Sequence, residues 1–327
     1  MHSSRLTQLI STFAAKRILV AGDLMLDEFV WGRVSRISPE APVPVVEVVS
    51  ESAYPGGAAN VARNLREFTK HADLLGTVGD DAAGARLLEL LNEGGIGTQA
   101  VLKSAAERTI VKTRVIARQQ QVVRVDRDAR ATITPSILAQ LRTQLEARID
   151  TTDAIIFADY GKGVLTQAVV DLIAAIARPR GVLMVVDPNP NNPVQWQGMT
   201  AIKPNRVETT AALGGTPIDL DDTAYLNAAA HKLQQKWATG IVLITLGEHG
   251  MWLFERDQPP YHTAAQAKEV FDVSGAGDTA ISLFTLALAS GATAREAAEI
   301  ANAASGVVVG KLGTATLTPA ELMAAMA

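Results

Sequence analysis

The sequence predicts an α/β protein built on a mostly parallel sheet with helices on both faces, plus a small β-strand lid. Three observations predict it. Short apolar runs alternate with helical patterns along most of the 327 residues, the order expected of a parallel sheet covered on both sides. Two Val-rich, partly alternating stretches, 33–50 and 109–126, interrupt that order. Polar residues recur just after the apolar runs, where open α/β sheets hold their ligands. The chain is long enough for one large domain, and 1–327 reads as a single domain with the lid inserted in two pieces.

Composition narrows the class. The chain is 48% apolar and 20% charged, as in soluble globular enzymes. A net charge of −4 argues against wholesale nucleic-acid binding. Without cysteine there is no disulfide, thiolate catalysis or Cys-ligated metal. The N-terminal MHSSRLTQLISTFAAKR lacks a signal-peptide pattern, because its apolar run is short and Lys16 and Arg17 follow it. It reads as an amphipathic helix with Leu6, Leu9, Ile10 and Phe13 on one face. No membrane segment is expected, and the expected compartment is the cytoplasm.

Arg17–Gly22 (RILVAG) is a buried strand. Asp23 and Asp27 follow it, either as a pair holding sugar hydroxyls or as a helix cap and a solvated acid. In 33–50, Pro39, Pro42 and Pro44 confine any strand to an edge. With 109–126 this gives a lid that folds over a site or pairs with a second subunit. Gly56-Gly57-Ala58-Ala59-Asn60 opens a helix, with glycines that permit close approach of a ligand. Further strands are expected at Ala72–Leu75, Ala154–Ala158, Gly181–Val186, Ala201–Lys203 and Ile241–Thr245. Helices are expected at Ala82–Glu93, Ser136–Arg148, Gln167–Ala177, Asp221–Lys236, Arg295–Val309 and Pro319–Met326.

The chemistry centres on Val270–Ser290. A Gly275-Ala276-Gly277 turn opens an uncharged apolar helix. Its backbone N–H groups and the helix dipole suit an anion. Asp278 is out of place there unless it takes a proton, as in phosphoryl transfer. Asp159 and Lys162, Asp187, Asn205 with Glu208, and Thr245 with Gly247 sit at the same end of successive strands. Asn205 and Glu208 carry oxygen ligands suited to Mg²⁺ through water. The motifs GxxxxGK(S/T), HExxH and GxSxG are absent, and the five histidines show no ligand spacing.

DVSGAGD at 272–278, GGAAN at 56–60, NRVE at 205–208 and TLGEHG at 245–250 occur in the order found in the ribokinase-like (PfkB) carbohydrate kinases, which this chain resembles over nearly its whole length. The resemblance implies a ribokinase-like fold, ATP and Mg²⁺, and Asp278 as catalytic base with Gly275, Ala276 and Gly277 as anion hole. It places Asp23, Asp27, Gly56, Gly57 and Asn60 at sugar hydroxyls, and Asn205 and Glu208 at Mg²⁺ and phosphate. Thr245, Gly247 and Asn302 match nucleotide-binding positions. Some relatives bind a monovalent cation near the position of Asp272, where Val273 and Ser274 depart from the broad DTxGAGD pattern. Within the family, GDLMLDEFVWGRVSRISPEAPVPVV at 22–46, DYGKG at 159–163 and NAASGVVVGKLGTATLT at 302–318 resemble the heptose-7-phosphate kinases. That implies transfer to O1 of D-glycero-β-D-manno-heptose 7-phosphate. Arg33, Arg124 and Lys162 are expected at the 7-phosphate by charge and location, and a homodimer is expected through the lid. No HxGH motif is present, so the sequence resembles a kinase without the nucleotidyltransferase domain often fused to it. The alternatives are another sugar or nucleoside kinase of this fold, or a non-catalytic sugar-phosphate-binding protein.

Overall fold

The computed structural model describes residues 3–117, 120–215, 223–267 and 270–327. Helix α1 (Ser3–Phe13) leads into β1 (Arg17–Gly22), and β2 (Leu24–Ile37) and β3 (Pro44–Gly57) follow. Next come α2 (Ala58–Arg66), β4 (His71–Gly79), α3 (Ala82–Glu93), β5 (Gly97–Ser104), β6 (Ile110–Ala117) and β7 (Gln120–Arg127). The middle of the chain holds α4 (Pro135–Glu146), β8 (Ala154–Ala158), α5 (Gln167–Ala177), β9 (Leu183–Asp187) and β10 (Ala201–Ile202). The remainder holds α6 (Arg206–Ala212), α7 (Thr223–Trp237), β11 (Ile241–Thr245), β12 (Met251–Glu255), β13 (Tyr261–Thr263), α8 (Ala276–Ala289), α9 (Ala294–Val308) and α10 (Pro319–Ala325).

Among the described residues, nine strands form one sheet in the order β13-β12-β11-β10-β9-β8-β1-β4-β5. Pairing is parallel from β5 to β11 and antiparallel at β12 and β13. The period of two along each strand sorts side chains to opposite faces. On β1, Ile18 and Val20 enter one core with α1, α2, α8 and α9. Leu19 and Ala21 enter the other, with α4, α5 and α7. The amphipathic reading of the N-terminus is correct, with Leu6, Leu9 and Phe13 buried. No helix among the described residues is long and apolar enough to cross a membrane.

The second sheet, ordered β3-β2-β6-β7, is larger than the expected lid. It starts at Leu24 rather than 33 and runs to Gly57 rather than 50. The extra residues carry no lid signal in the sequence, because Leu24, Met25, Leu26 and Phe29 are buried with little polar alternation. The prolines behave as expected: Pro44 opens β3, an edge strand, and Pro39 and Pro42 precede it. Strand β5 has no clear strand pattern in the sequence, because GTQAVLKS buries only Ala100 and Ser104. Asp221, expected to start a helix, lies outside the described residues, and α7 runs from Thr223.

Candidate active site

The Gly-rich turn sits between two cavities, with Asp272 and Ser274 lining one and Ala276 and Gly277 the other. Phe271 and Asp272 donate their amides to Val309 O at 2.8 and 3.2 Å, and the Asp272 carboxylate accepts the amides of Ser274 (2.9 Å) and Gly313 (3.2 Å). These bonds pin the segment before α8. Gly275 caps α8 at φ 83°, a left-handed backbone that disfavours a side chain. A Cβ there would also lie 3.1 Å from Asn60 Nδ2. Residues Thr279 to Ala287 are buried, so α8 is anchored along its length and its N-terminus is fixed.

Asp278 lies in the first turn of α8. Its Oδ2 accepts from Asn60 Nδ2 and its Oδ1 from the Tyr160 hydroxyl, each at 2.6 Å. Arg63 donates to Asn60 Oδ1 at 3.2 Å. A guanidinium only donates, so this contact fixes which end of the Asn60 amide faces Asp278. Burial pushes the Asp278 carboxyl up to about 6, against the pull of the Asn60 and Tyr160 bonds. Such a group is ionised at neutral pH yet basic enough to take a proton.

A buried charge cluster adjoins it. Lys203, just past β10, is 2% exposed and its ammonium lies 2.9 Å from Asp187 at the end of β9. The ammonium would be 3.6 Å from a Cβ placed on Gly277, directly beside the Gly-rich turn. Burial pushes Asp187 up, although Lys203 opposes it. Burial and the Asp187 charge push Glu208 up to about 7. Asp159 is pushed to about 6 by burial, and it accepts from Gly161, Asn189 and Asn192.

The expected sugar positions divide. Asp27 is buried and reaches the site, its Oδ1 2.6 Å from Arg114. Gly56 allows this, since a Cβ there would fall 2.2 Å from Asp27 Oδ2. Gly57 is the N-cap of α2 and Asn60 its third residue, so this turn aims Asn60 at Asp278. Asp23 is turned to the backbone: its carboxylate accepts the amides of Tyr160 (3.1 Å), Lys162 (3.0 Å) and Val164 (2.9 Å). At 1% exposure it is a clamp on the 160–164 loop.

The three cations expected at a distal phosphate stand apart from the larger cavity. Arg33 is exposed on β2 opposite Glu47. Arg124 is exposed and paired with Asp126 at 2.8 Å. Lys162 pairs with Asp128 at 2.8 Å. None lines the cavity of about 650 Å³ between lid and turn, whose wall includes Phe29, Trp31, Arg114, Phe271, Asp272 and Ser274. Arg114, whose guanidinium carbon stacks 5.3 Å from the Phe29 ring centre, occupies that wall instead. The sequence offered many arginines, and only the β2–β6 register singles this one out.

On the other side of the turn, Thr245, Gly247, Ala276, Gly277 and Asn302 line a cavity of about 260 Å³. The grouping expected at a nucleotide is therefore brought together. The Asn302 amide is engaged, donating to Thr263 Oγ1 (2.9 Å) and Ala264 O (2.6 Å), so it closes the cavity wall. Asn205 and Glu208 form the capping box of α6: the Glu208 amide donates to Asn205 Oδ1 (2.9 Å) and the Asn205 amide to Glu208 Oε2 (2.7 Å).

The same pair bears on Mg²⁺. Among the described residues, no group of three or more His, Asp or Glu side chains is placed to hold a metal directly. Asp187, Glu208 and Asp278 nonetheless crowd one ammonium, and burial, with the Asp187 charge, holds Glu208 up at about 7. A hard cation that keeps its water shell fits this surplus of buried carboxylate oxygen.

The model of the pfkB family of carbohydrate kinases matches residues 15–321. The chain is 42% identical over 315 residues to the bifunctional protein HldE of Desulfatibacillum aliphaticivorans, covering 96% of this chain and 64% of that protein. It is 45% identical over 320 residues to the bifunctional protein HldE of Caulobacter vibrioides, covering 98% and 65%. The chain thus spans a little under two thirds of the length of these relatives. Its fold is similar to that of Arabidopsis thaliana ribokinase complexed with ribose and ATP, with a TM-score of 0.71, 18% identity and coverage of 95% of this chain and 98% of that one. It is also similar to phosphofructokinase-2 from Escherichia coli in complex with potassium, with a TM-score of 0.77, 18% identity and coverage of 94% and 97%.

Proposed function

The chain belongs to the pfkB family of carbohydrate kinases, and from that premise we propose that it transfers the γ-phosphoryl group of ATP to O1 of D-glycero-β-D-manno-heptose 7-phosphate. The product is the 1,7-bisphosphate, on a route to ADP-heptose and the lipopolysaccharide inner core. The observation that carries the reading is the placement of the 272–278 turn, which walls both cavities and presents Asp278 at the start of α8.

ATP occupies the side lined by Thr245 and Gly247, with its terminal phosphate against the amides that open α8. The sugar lies under the lid, with hydroxyls at Asp27 and Asn60. Asp278 takes the O1 proton as the O1–phosphorus bond forms and the bond to the ADP oxygen breaks. The amides of Gly275, Ala276 and Gly277, with the Lys203 ammonium beside them, stabilise charge on the moving phosphoryl group. Asn205 and Glu208 would hold Mg²⁺ through water, and the bound ion would neutralise phosphate charge. Arg114, on the cavity wall, anchors the distal phosphate with a planar fork suited to phosphate oxygens. A monovalent cation beside Asp272 remains part of this proposal as an accessory of the turn.

A homodimer formed through the lid is supported by its exposed apolar residues, Ile37, Val48, Val49, Val122, Val123 and Val125. The test of the reaction is ADP release over a panel of sugars, with NMR identification of the product. Heptose 7-phosphate should outrun ribose, fructose 6-phosphate and adenosine. Equal or better turnover of any of these removes the heptose assignment.

A further inference from the structure

We propose that Tyr160 is a positioning residue for the phosphoryl-transfer base, its phenol locking the Asp278 carboxylate in its working orientation while staying protonated through the reaction. This rests on the reading of Asp278 as the base. Tyr160 follows β8 and its hydroxyl lies 2.6 Å from Asp278 Oδ1, while Asn60 holds Oδ2 at the same distance. The carboxylate is therefore gripped by one donor at each oxygen. Each oxygen keeps a second acceptor direction, so the substrate hydroxyl can reach one without displacing either donor.

The grip on Tyr160 is built from the far end of β1. Asp23 accepts the amides of Tyr160, Lys162 and Val164, fixing the loop that carries the ring. The ring packs against the core formed with α2 and α8. The buried acid after β1 and the tyrosine after β8 thus form one relay of fixed contacts ending at Asp278.

The surroundings keep the phenol neutral. Burial, then the charges of Asp278, Asp187 and Asp27, push it well above its ordinary value. The groups facing Asp278 are Tyr160 after β8, Asn60 on α2, Asp187 at the end of β9 and Lys203 after β10. Glu208 on α6 faces Lys203. When the sugar hydroxyl gives its proton to Asp278, the proton stays there, and Tyr160 continues to donate its own. A bond to the charged form favours ionisation, so losing the phenol raises the pH at which the base is unmasked.

The test compares the full chain with Tyr160→Phe, using ATP and heptose 7-phosphate across pH 5.5–9. KM for both substrates should stay within about twofold, because the residue touches neither in this arrangement. The acid limb of kcat should move up by about one pH unit, the displacement expected for one charge-assisted bond at about 1.4 kcal/mol per unit. At pH 6, with Asp278 at about 6 in the parent, this gives roughly a five- to sixfold loss of kcat, largely recovered at pH 9. A loss uniform in pH, or an unmoved limb, overturns the proposal. Replacing Tyr160 by 3-fluorotyrosine keeps the ring and strengthens the donor, so the limb should move down, and this arm stands if the Phe variant does not fold. Asp278→Asn separates the two readings. Turnover surviving in that variant removes Asp278 as base, whereas an inactive Asp278→Asn with an unmoved Tyr160→Phe limb removes only the role of Tyr160.

Discussion

Replacing Asp278 by Asn removes a base while leaving its setting nearly unchanged. In the structure Asn60 Nδ2 and the Tyr160 hydroxyl each donate to one carboxylate oxygen at 2.6 Å. An Asn at this position can keep its oxygen toward Asn60 and turn its NH₂ toward Tyr160. The phenol can accept as well as donate, so both contacts survive. Stability should change by no more than about 1 kcal/mol, the scale of one net hydrogen bond. The residues lining the cavity at Thr245 and Gly247 are untouched, so ATP affinity should hold. The chemical step loses its proton acceptor, a role worth about 10²–10⁴ in rate. At about 1.36 kcal/mol per decade this is about 2.7–5.4 kcal/mol of barrier. The assay is steady-state ADP release at pH 8, with ATP affinity measured separately by calorimetry. A kcat within tenfold of the parent, with ATP binding intact, refutes the assignment of the base.

Three further outcomes follow from the same geometry. Arg114→Met should raise KM for the 7-phosphate sugar about tenfold or more, the scale of a bond to a charged group, while KM for the unphosphorylated sugar changes less; equal effects on both would place the phosphate elsewhere. Gly56→Ala brings a Cβ within 2.2 Å of Asp27 Oδ2, so kcat/KM for the sugar should fall about 100-fold with ATP binding intact, read by initial rates and calorimetry. The apo chain should lose stability as pH rises from 5.5 to 8. Asp159 and Asp278 are raised to about 6 and Glu208 to about 7. A raised carboxyl stabilises the fold while protonated, and that contribution fades as pH climbs through its folded value. The loss is on the order of 1–3 kcal/mol for this set of neighbouring groups, and a Tm that rises between pH 5.5 and 8 would contradict it.

Much of the chain was legible because its signals are local. Ala82–Glu93, Gln167–Ala177, Ala154–Ala158 and Ile241–Thr245 match the structure end to end. Strand and helix periods are set by neighbours a few residues apart, and a cap or glycine closes each element. The failures came where partners are distant. Tyr160 looked like part of a turn, and Lys203 like the end of a strand. Arg114 was one arginine among many in a β-rich stretch.

The sequence by itself determined the α/β alternation, the Gly-rich turn opening an apolar helix, and the presence of an acid in that turn. Only the tertiary structure decided what those parts touch. It sent Asp23 into a loop clamp and Asp27 onto Arg114, though both follow the same strand. It paired Arg124 and Lys162 with nearby acids and left Arg114 on the cavity wall. The reason is that a side chain's partner depends on register between strands, where a slip of one residue reverses the face. It depends also on burial, which makes each polar group find a partner within reach. Neither is written in the residues on either side.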